Sequence, residues 1–236
     1  MSELHLLLIG GGEIGAPKSD GTFRPLETLA IDEHFVRSLN KKKPHILFIP
    51  TATELMDANR LYEKGFRTLY GEKLGCSVDS LYLSDNPSPE DIDTKLRKAD
   101  ALYIGGGDNY YMFNQWKKFG LDIRLQQVAQ EGKPIAGISA GAMCWFKKML
   151  IEDEKGMDII DGFGLLEHFL VPHWNKYQKF LESPLAKQEP FIAIDNCCAL
   201  EIKGTSQHLI KSKSEANAYF IDLKSDTEAK INNLVK

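Results

Sequence analysis

A chain of 236 residues, 43% hydrophobic and 26% charged, can bury one substantial core and has an ordinary size for a single α/β domain. A formal net charge of −4 gives no electrostatic reason to expect nucleic acid, and Lys41-Lys42-Lys43 reads as a solvated helix end. The sequence does not open on a basic stretch followed by an apolar one, and no apolar run approaches bilayer-spanning length, so no membrane partner is expected and the expected location is cytoplasmic.

Leu4 to Ile9 is an apolar run that stops at a breaker, and the same signature returns at His45 to Ile49, Ala101 to Ile104 and Ile135 to Ile138. Val78 to Leu83 is a further candidate strand. Helical patterns lie between them, over Leu26 to Leu39, Pro89 to Lys98, Tyr110 to Phe119 and Leu121 to Gln130. Strands without polar alternation are buried on both faces, and their alternation with helices predicts a mostly parallel sheet sandwiched by helices, doubly wound. After Trp174 a polar helix to about Lys187 is expected. Then come Phe191 to Ile194, Ala199 to Ile202, His208 to Lys211 and Ala218 to Leu223, spaced like C-terminal β-hairpins that extend or flank the sheet. Residues 1–223 read as one domain and 224–236 as a polar tail that forms a surface helix or frays.

In such a sheet, ligand chemistry belongs at the carboxyl ends of the strands. Gly10-Gly11-Gly12, Gly105-Gly106-Gly107-Asp108 and Gly137-Ile138-Ser139-Ala140-Gly141 all fall there. The last is a GxSxG pentapeptide between an apolar strand and a small-residue helix start, the context that a nucleophile elbow requires. Gly10, Gly12 and Gly15 also satisfy GxGxxG, the runner-up reading as a dinucleotide site. That pattern should open a helix at once, but this chain runs into the breaker-rich Ala16 to Gly21, and its second strand ends at Pro50 without the ribose-binding acid. The glycines are better explained by backbone passing close beside a site.

A serine nucleophile needs a base. His173 follows Phe169-Leu170-Val171-Pro172, where a strand leaves the sheet, and is the best candidate among the six histidines. For the group that orients the imidazole, Asp195 beyond Ile192-Ala193-Ile194 is favoured, with Asn196 as a neutral substitute and the acids of 152–161 as rivals. Backbone N–H groups of Ala140 and of Gly106 or Gly107 are the expected oxyanion donors. Cys76, Cys144, Cys197 and Cys198 show no metal-ligand spacing and read as reduced; neither a metal nor a cofactor is expected.

The residues that carry these expectations are Leu8-Ile9-Gly10-Gly11-Gly12, Phe48-Ile49-Pro50-Thr51-Ala52, Tyr103-Ile104-Gly105-Gly106-Gly107-Asp108-Asn109, the Ser139 pentapeptide with Ala142, and Val171-Pro172-His173. In this combination the chain resembles the peptidase E (aspartyl dipeptidase) family, related to cyanophycinase, over nearly its whole length. The resemblance implies a flavodoxin-like or class I glutamine amidotransferase-like α/β sandwich, a Ser-His-acid set without a cofactor, the nucleophile on Ser139, the base on His173 and an oxyanion donor in the Gly105 to Gly107 loop. It departs at two places: the family's third-member glutamate aligns with Asp195-Asn196, and the segment 176–189 lacks the arginine that reads a substrate aspartate. The expected activity is serine-type hydrolysis of small peptides, dipeptidase-like, through an acyl-enzyme. The alternative is a catalytically silent small-molecule-binding module of the same fold. An amidotransferase-like enzyme would need cysteine at the elbow, and Cys144 comes too late. No pattern speaks to subunit number.

Overall fold

The computed structural model describes residues 3–56, 59–153, 156–225 and 227–230. Along the chain come β1 (His5–Ile9), α1 (Leu29–Ser38), β2 (His45–Ile49), α2 (Asn59–Phe66), β3 (Ser77–Ser80), α3 (Pro89–Lys98), β4 (Ala101–Ile104), α4 (Asn109–Phe119), α5 (Leu121–Gln130), β5 (Ile135–Ile138) and the single turn α6 (Ala140–Met143). After these follow β6 (Phe146–Asp153), β7 (Gly156–Asp161), β8 (Leu166–Val171), α7 (Trp174–Tyr177), β9 (Phe191–Ile194), β10 (Cys198–Lys203), β11 (Ser206–Lys211), β12 (Ala218–Asp222) and β13 (Thr227–Lys230).

Seven strands form one sheet in the order β11-β10-β1-β5-β4-β2-β3. The five from β1 to β3 run parallel, while β10 and β11 add an antiparallel hairpin at the β1 edge. Successive side chains point to opposite faces. Leu7, Ile9, Ile46, Phe48, Tyr103 and Ile138 therefore pack on one side with Ile31 and Phe35 of α1 and Phe66 of α2. Leu6, Leu8, Leu47, Ile49, Leu102 and Ile104 pack on the other with α3, α4 and α5. These two cores explain the absence of polar alternation, and each fully buried Leu or Phe contributes about 1.5–3 kcal/mol. The expected α/β fold, a mostly parallel sheet flanked by helices with antiparallel C-terminal strands, is the one observed.

Three expectations need correction. The change of pattern comes at Phe146, where β6 begins, and a second six-stranded sheet, β13-β12-β9-β8-β6-β7, takes β9 and β12 while the first sheet takes β10 and β11. The helix expected after Trp174 is one α-turn followed by the 3-10 segments Gln178–Glu182 and Pro184–Lys187, with Ser183 accepting an N–H bond from Leu185 at the break. Thr227–Lys230, expected in the polar tail, pairs antiparallel with β12, and 231–236 lie outside the described residues.

Local sequence fixes several boundaries. Ser88 and Asp91 cap α3 reciprocally with Pro89 at its first turn, and Asp108 accepts the Tyr111 N–H at the head of α4. Gly120, at φ 63, ends α4 in the left-handed conformation and lets α5 follow at once.

One buried polar group bears on stability. Asp32 on α1 is fully buried, its carboxylate accepting from Tyr70 Oη at 2.6 Å and Thr28 Oγ1 at 2.7 Å. Burial pushes its carboxyl up to about 7, against the hydrogen bonds of Thr28 and Tyr70. Between about pH 4 and pH 7 the unfolded chain has lost this proton and the folded one has kept it, so stability falls as pH rises through that window. Asp32→Asn removes the loss: its melting temperature relative to the native protein is expected to be more favourable at pH 8 than at pH 4, as thermal melts at the two pH values would read.

Candidate active site

Three strand ends of the first sheet meet two of the second. Ser139 follows β5 at φ 52, ψ −114, a conformation that L-residues rarely adopt, held by its N–H donating to Ile9 O at 3.0 Å. A side chain at Gly137 would run into the carbonyl of Gly141, and one at Gly141 into that of Ile104. The pentapeptide's glycines are there for this packing, which sets the serine up at the sheet edge.

His173 leaves β8 after Pro172 in the left-handed region at φ 55, and its N–H donates to Gly10 O at 2.9 Å. Asn196 follows β9, its N–H held by Asn175 Oδ1 at 3.1 Å, while the next N–H, of Cys197, donates to Gly11 O at 2.9 Å. The Gly10-Gly11-Gly12 segment is thus the backbone bracket that joins the two sheets. A Cβ on Gly11 would collide with both His173 Nδ1 and Asn196 Oδ1.

The side chains form a line. His173 Nε2 lies 3.0 Å from Ser139 Oγ, and Nδ1 lies 2.6 Å from Asn196 Oδ1. An amide oxygen can only accept, which assigns the proton to Nδ1 and leaves the Nε2 lone pair facing the Ser139 hydroxyl. Asp195 does not join the line, contrary to expectation. Its Oδ2 accepts the Asn217 N–H at 2.9 Å, and its own N–H donates to Asn217 O. Neighbouring residues at a strand end face opposite ways, so only one of Asp195 and Asn196 could meet the ring, and the register places the amide there. The acidic rivals are elsewhere too: Glu152, Asp158 and Asp161 sit on the β6–β7 hairpin, where Glu152 accepts from Tyr177 Oη at 2.7 Å. The side chain of Asp153 and residue Glu154 lie outside the described residues.

Asn196→Ala is expected to lower kcat/KM on the order of 100-fold, the scale of a misplaced catalytic group, with a small change in melting temperature. Asp195→Ala should do the reverse, losing the roughly 1.5–3 kcal/mol of a buried charged hydrogen bond while kinetics per folded molecule stay near native. Steady-state kinetics with thermal melts on both variants separate the two roles.

Four of the other five histidines are engaged elsewhere: His5 and His34 flank Glu201 at 3.2 and 3.1 Å, His45 meets Ser77, and His168 packs on Phe220. The fifth, His208, lies exposed on β11. All four cysteines are free and buried; Cys144 donates to Gly141 O inside the core, where burial pushes its thiol well above the usual range. Among the described residues no group of three His, Cys, Asp or Glu side chains is arranged to hold a metal ion, and no helix is long and apolar enough to cross a membrane.

A cleft of about 840 Å³ opens over Ser139 and His173. Gly106 borders it, with the site of its missing side chain 3.0 Å from Ser139 Cβ, and Gly107 lies beside it. One wall is the segment from Glu13 to Glu27, of which Ala16 to Gly21 is expected as a loop and Leu26-Glu27 as the start of a helix that in fact begins at Leu29. It folds into an irregular hairpin through Gly15 N–H to Pro25 O, Lys18 N–H to Thr22 O and Arg24 N–H to Ala16 O. Ala16 packs onto α2 at Gly65, which has no room for a side chain. This arm brings Glu13, Lys18, Asp20 and Arg24 to the cleft, and α2 contributes Tyr62. None of these was anticipated. The arm is breaker-rich with no periodicity, and the stretch from Asn59 to Lys73 ends as a π-helix, so neither gave a signal beyond residue type.

Residues 6–210 match the model of peptidase family S51. The chain is similar to the uncharacterized peptidase YgaJ of Bacillus subtilis (strain 168), 28% identical over 171 residues, 72% of this chain and 69% of that protein. It is also similar to peptidase E of Shewanella denitrificans, 25% identical over 196 residues, 76% of this chain and 80% of the other. Its fold is that of a crystal structure of a peptidase from an acI-B1 Actinobacterium (TM-score 0.73, 23% identity, 96% of this chain and 94% of that one). It is equally that of a putative peptidase E from Listeria monocytogenes EGD-e (TM-score 0.68, 22% identity, 89% and 99%). With the family model covering most of its length, this chain belongs to peptidase family S51, the serine peptidases of the peptidase E type.

Proposed function

We propose that the chain hydrolyses dipeptides and similarly short peptides, with Ser139 as nucleophile, His173 as general base and acid, and Asn196 as the group that orients the imidazole. The observation that carries this reading is the unbroken line from Asn196 Oδ1 through the His173 ring to Ser139 Oγ, at 2.6 and 3.0 Å, on the floor of an open cleft. Oγ attacks the scissile carbonyl as its proton passes to Nε2. The carbonyl oxygen takes up negative charge facing the N–H groups of Ala140 and Gly106. Collapse of this intermediate breaks the C–N bond, and the proton on Nε2 goes to the departing amine. Water then attacks the acyl-enzyme, giving its proton to Nε2, which returns it to Oγ as the acid leaves.

The size of the cleft and its arm favour a short substrate. Side chains of both signs line it, Glu13 and Asp20 with Lys18 and Arg24, and suit a molecule that carries an ammonium and a carboxylate only a few bonds apart. The test is turnover of a dipeptide library, with normal and β-linked aspartyl members, together with labelling by a fluorophosphonate. Hydrolysis with the label on Ser139 is the expected result. No turnover and no label would leave the silent binding module as the reading.

A further inference from the structure

The oxyanion site holds one group more than acyl transfer strictly requires. Tyr62 projects from α2 with its ring against the edge of Phe48, centroids 5.3 Å apart, and against Gly105, where an added side chain would stand 3.1 Å from the ring. That ring is fixed by packing and not by its hydroxyl. It borders the cleft together with Gly106, Ser139 and His173, and its oxygen is near enough to the backbone N–H of Gly106, the group assigned above to the developing oxyanion, for that N–H to favour the phenolate against the effect of burial. Among the described residues no acceptor is recorded for the Tyr62 O–H.

We infer that Tyr62 is a catalytic residue of the reaction proposed above, its O–H completing the oxyanion site as a third donor beside the N–H groups of Ala140 and Gly106. The inference rests on that peptidase reading and adds to it. As the carbonyl arrives, its oxygen meets the Gly106 N–H, and the phenol turns its proton toward the growing charge. The hydroxyl stays protonated through this cycle. Burial holds the phenol well above the ordinary tyrosine range, and the Asp32 carboxyl behind it acts in the same direction. A phenol that cannot ionise donates a hydrogen bond at every working pH and never presents a negative charge to the oxyanion. The gain belongs to the transition state, since a neutral carbonyl oxygen asks little of a third donor.

Tyr62→Phe keeps the packed ring and deletes the hydroxyl. On the best dipeptide of the library, kcat is expected to fall about 10²- to 10³-fold, the usual effect of losing one oxyanion donor, with KM within about twofold of native. The affinity of the matching dipeptide aldehyde, which forms a tetrahedral adduct on Ser139, should fall in parallel with kcat/KM, while the melting temperature stays near native. A structural role would move stability or KM and leave that parallel absent. A Tyr62→Phe enzyme with native or raised kcat and undiminished aldehyde affinity overturns the inference, the raised value marking the hydroxyl as a plug. If the native protein neither hydrolyses dipeptides nor takes the label on Ser139, the peptidase reading fails and this proposal with it. If the native protein does both and only Tyr62→Phe is without effect, this proposal alone falls.

Discussion

Under the proposed mechanism, Ser139→Ala is expected to lower kcat by at least about 10⁴-fold on any dipeptide found to be a substrate, because losing the attacking group of a coupled set costs nearly as much as losing the whole set. The variant should fold as the native protein does. Serine and alanine suffer the same strain at φ 52, ψ −114, and among the described residues the deleted hydroxyl bonds to the His173 ring alone. Ser139→Gly should be equally inactive, and here the two replacements part company. Glycine occupies this conformation without the clash of Cβ, so the strain stored at the elbow, of order 1–3 kcal/mol, is released. Thermal melts should rank Ser139→Gly above both Ser139→Ala and the native chain. Equal melting temperatures for the two variants would mean that the elbow holds no strain. Retained turnover in either would remove Ser139 from the mechanism.

What the sequence disclosed and what it hid follow from how local each determinant is. The elbow was legible because its cause lies within five residues: two glycines that let Gly141 and Ile104 carbonyls approach, and a serine between a strand and a helix start. The parallel strands were legible because burial on both faces removes polar residues from every position. His173 could be read because the apolar strand and Pro172 before it mark where the chain leaves a sheet. The choice between Asp195 and Asn196 could not be read. It turns on where β9 stops, and that is fixed by the pairing of Asp195 with Asn217, a residue across a different strand. The β6–β7 hairpin was missed for a related reason. Glu152, Asp158 and Asp161 lie exposed on paired strands, Asp161 opposite Lys148, and a cluster of acids without visible alternation looks like a loop. The small-residue run after Ser139 promised a longer helix, but the Gly141 carbonyl is taken by Trp145 Nε1 and by the Cys144 thiol, and the chain turns into β6. Such side-chain competition for backbone groups ends helices without a Gly or Pro to announce it.

Gly11→Ala tests the tightest point of the assembly and should cost activity far more than stability. Gly11 has φ 153, in the region left to glycine, and a methyl group there points at His173 Nδ1 and Asn196 Oδ1 together. These two atoms are 2.6 Å apart, so there is no space between them to yield. The imidazole must swing or the amide must leave, and either movement takes Nε2 out of line with Ser139 Oγ. A shift near 1 Å in a catalytic group costs about 100-fold in rate, and this replacement disturbs both ends of the ring at once. The expected kcat/KM is therefore at least about 10²-fold below native, accompanied by a loss of about 1–3 kcal/mol in stability from crowding and backbone strain. Gly120→Ala supplies the comparison. It imposes a positive φ of 63 on alanine between α4 and α5, away from the cleft, where the nearest atom to the new methyl is the flexible end of Arg124. It should lose about 1 kcal/mol and keep native kinetics per folded molecule. If Gly11→Ala behaves like Gly120→Ala, with stability reduced and turnover intact, the His173 and Asn196 contact is not needed for the chemistry, and the triglycine segment serves only to join the two sheets.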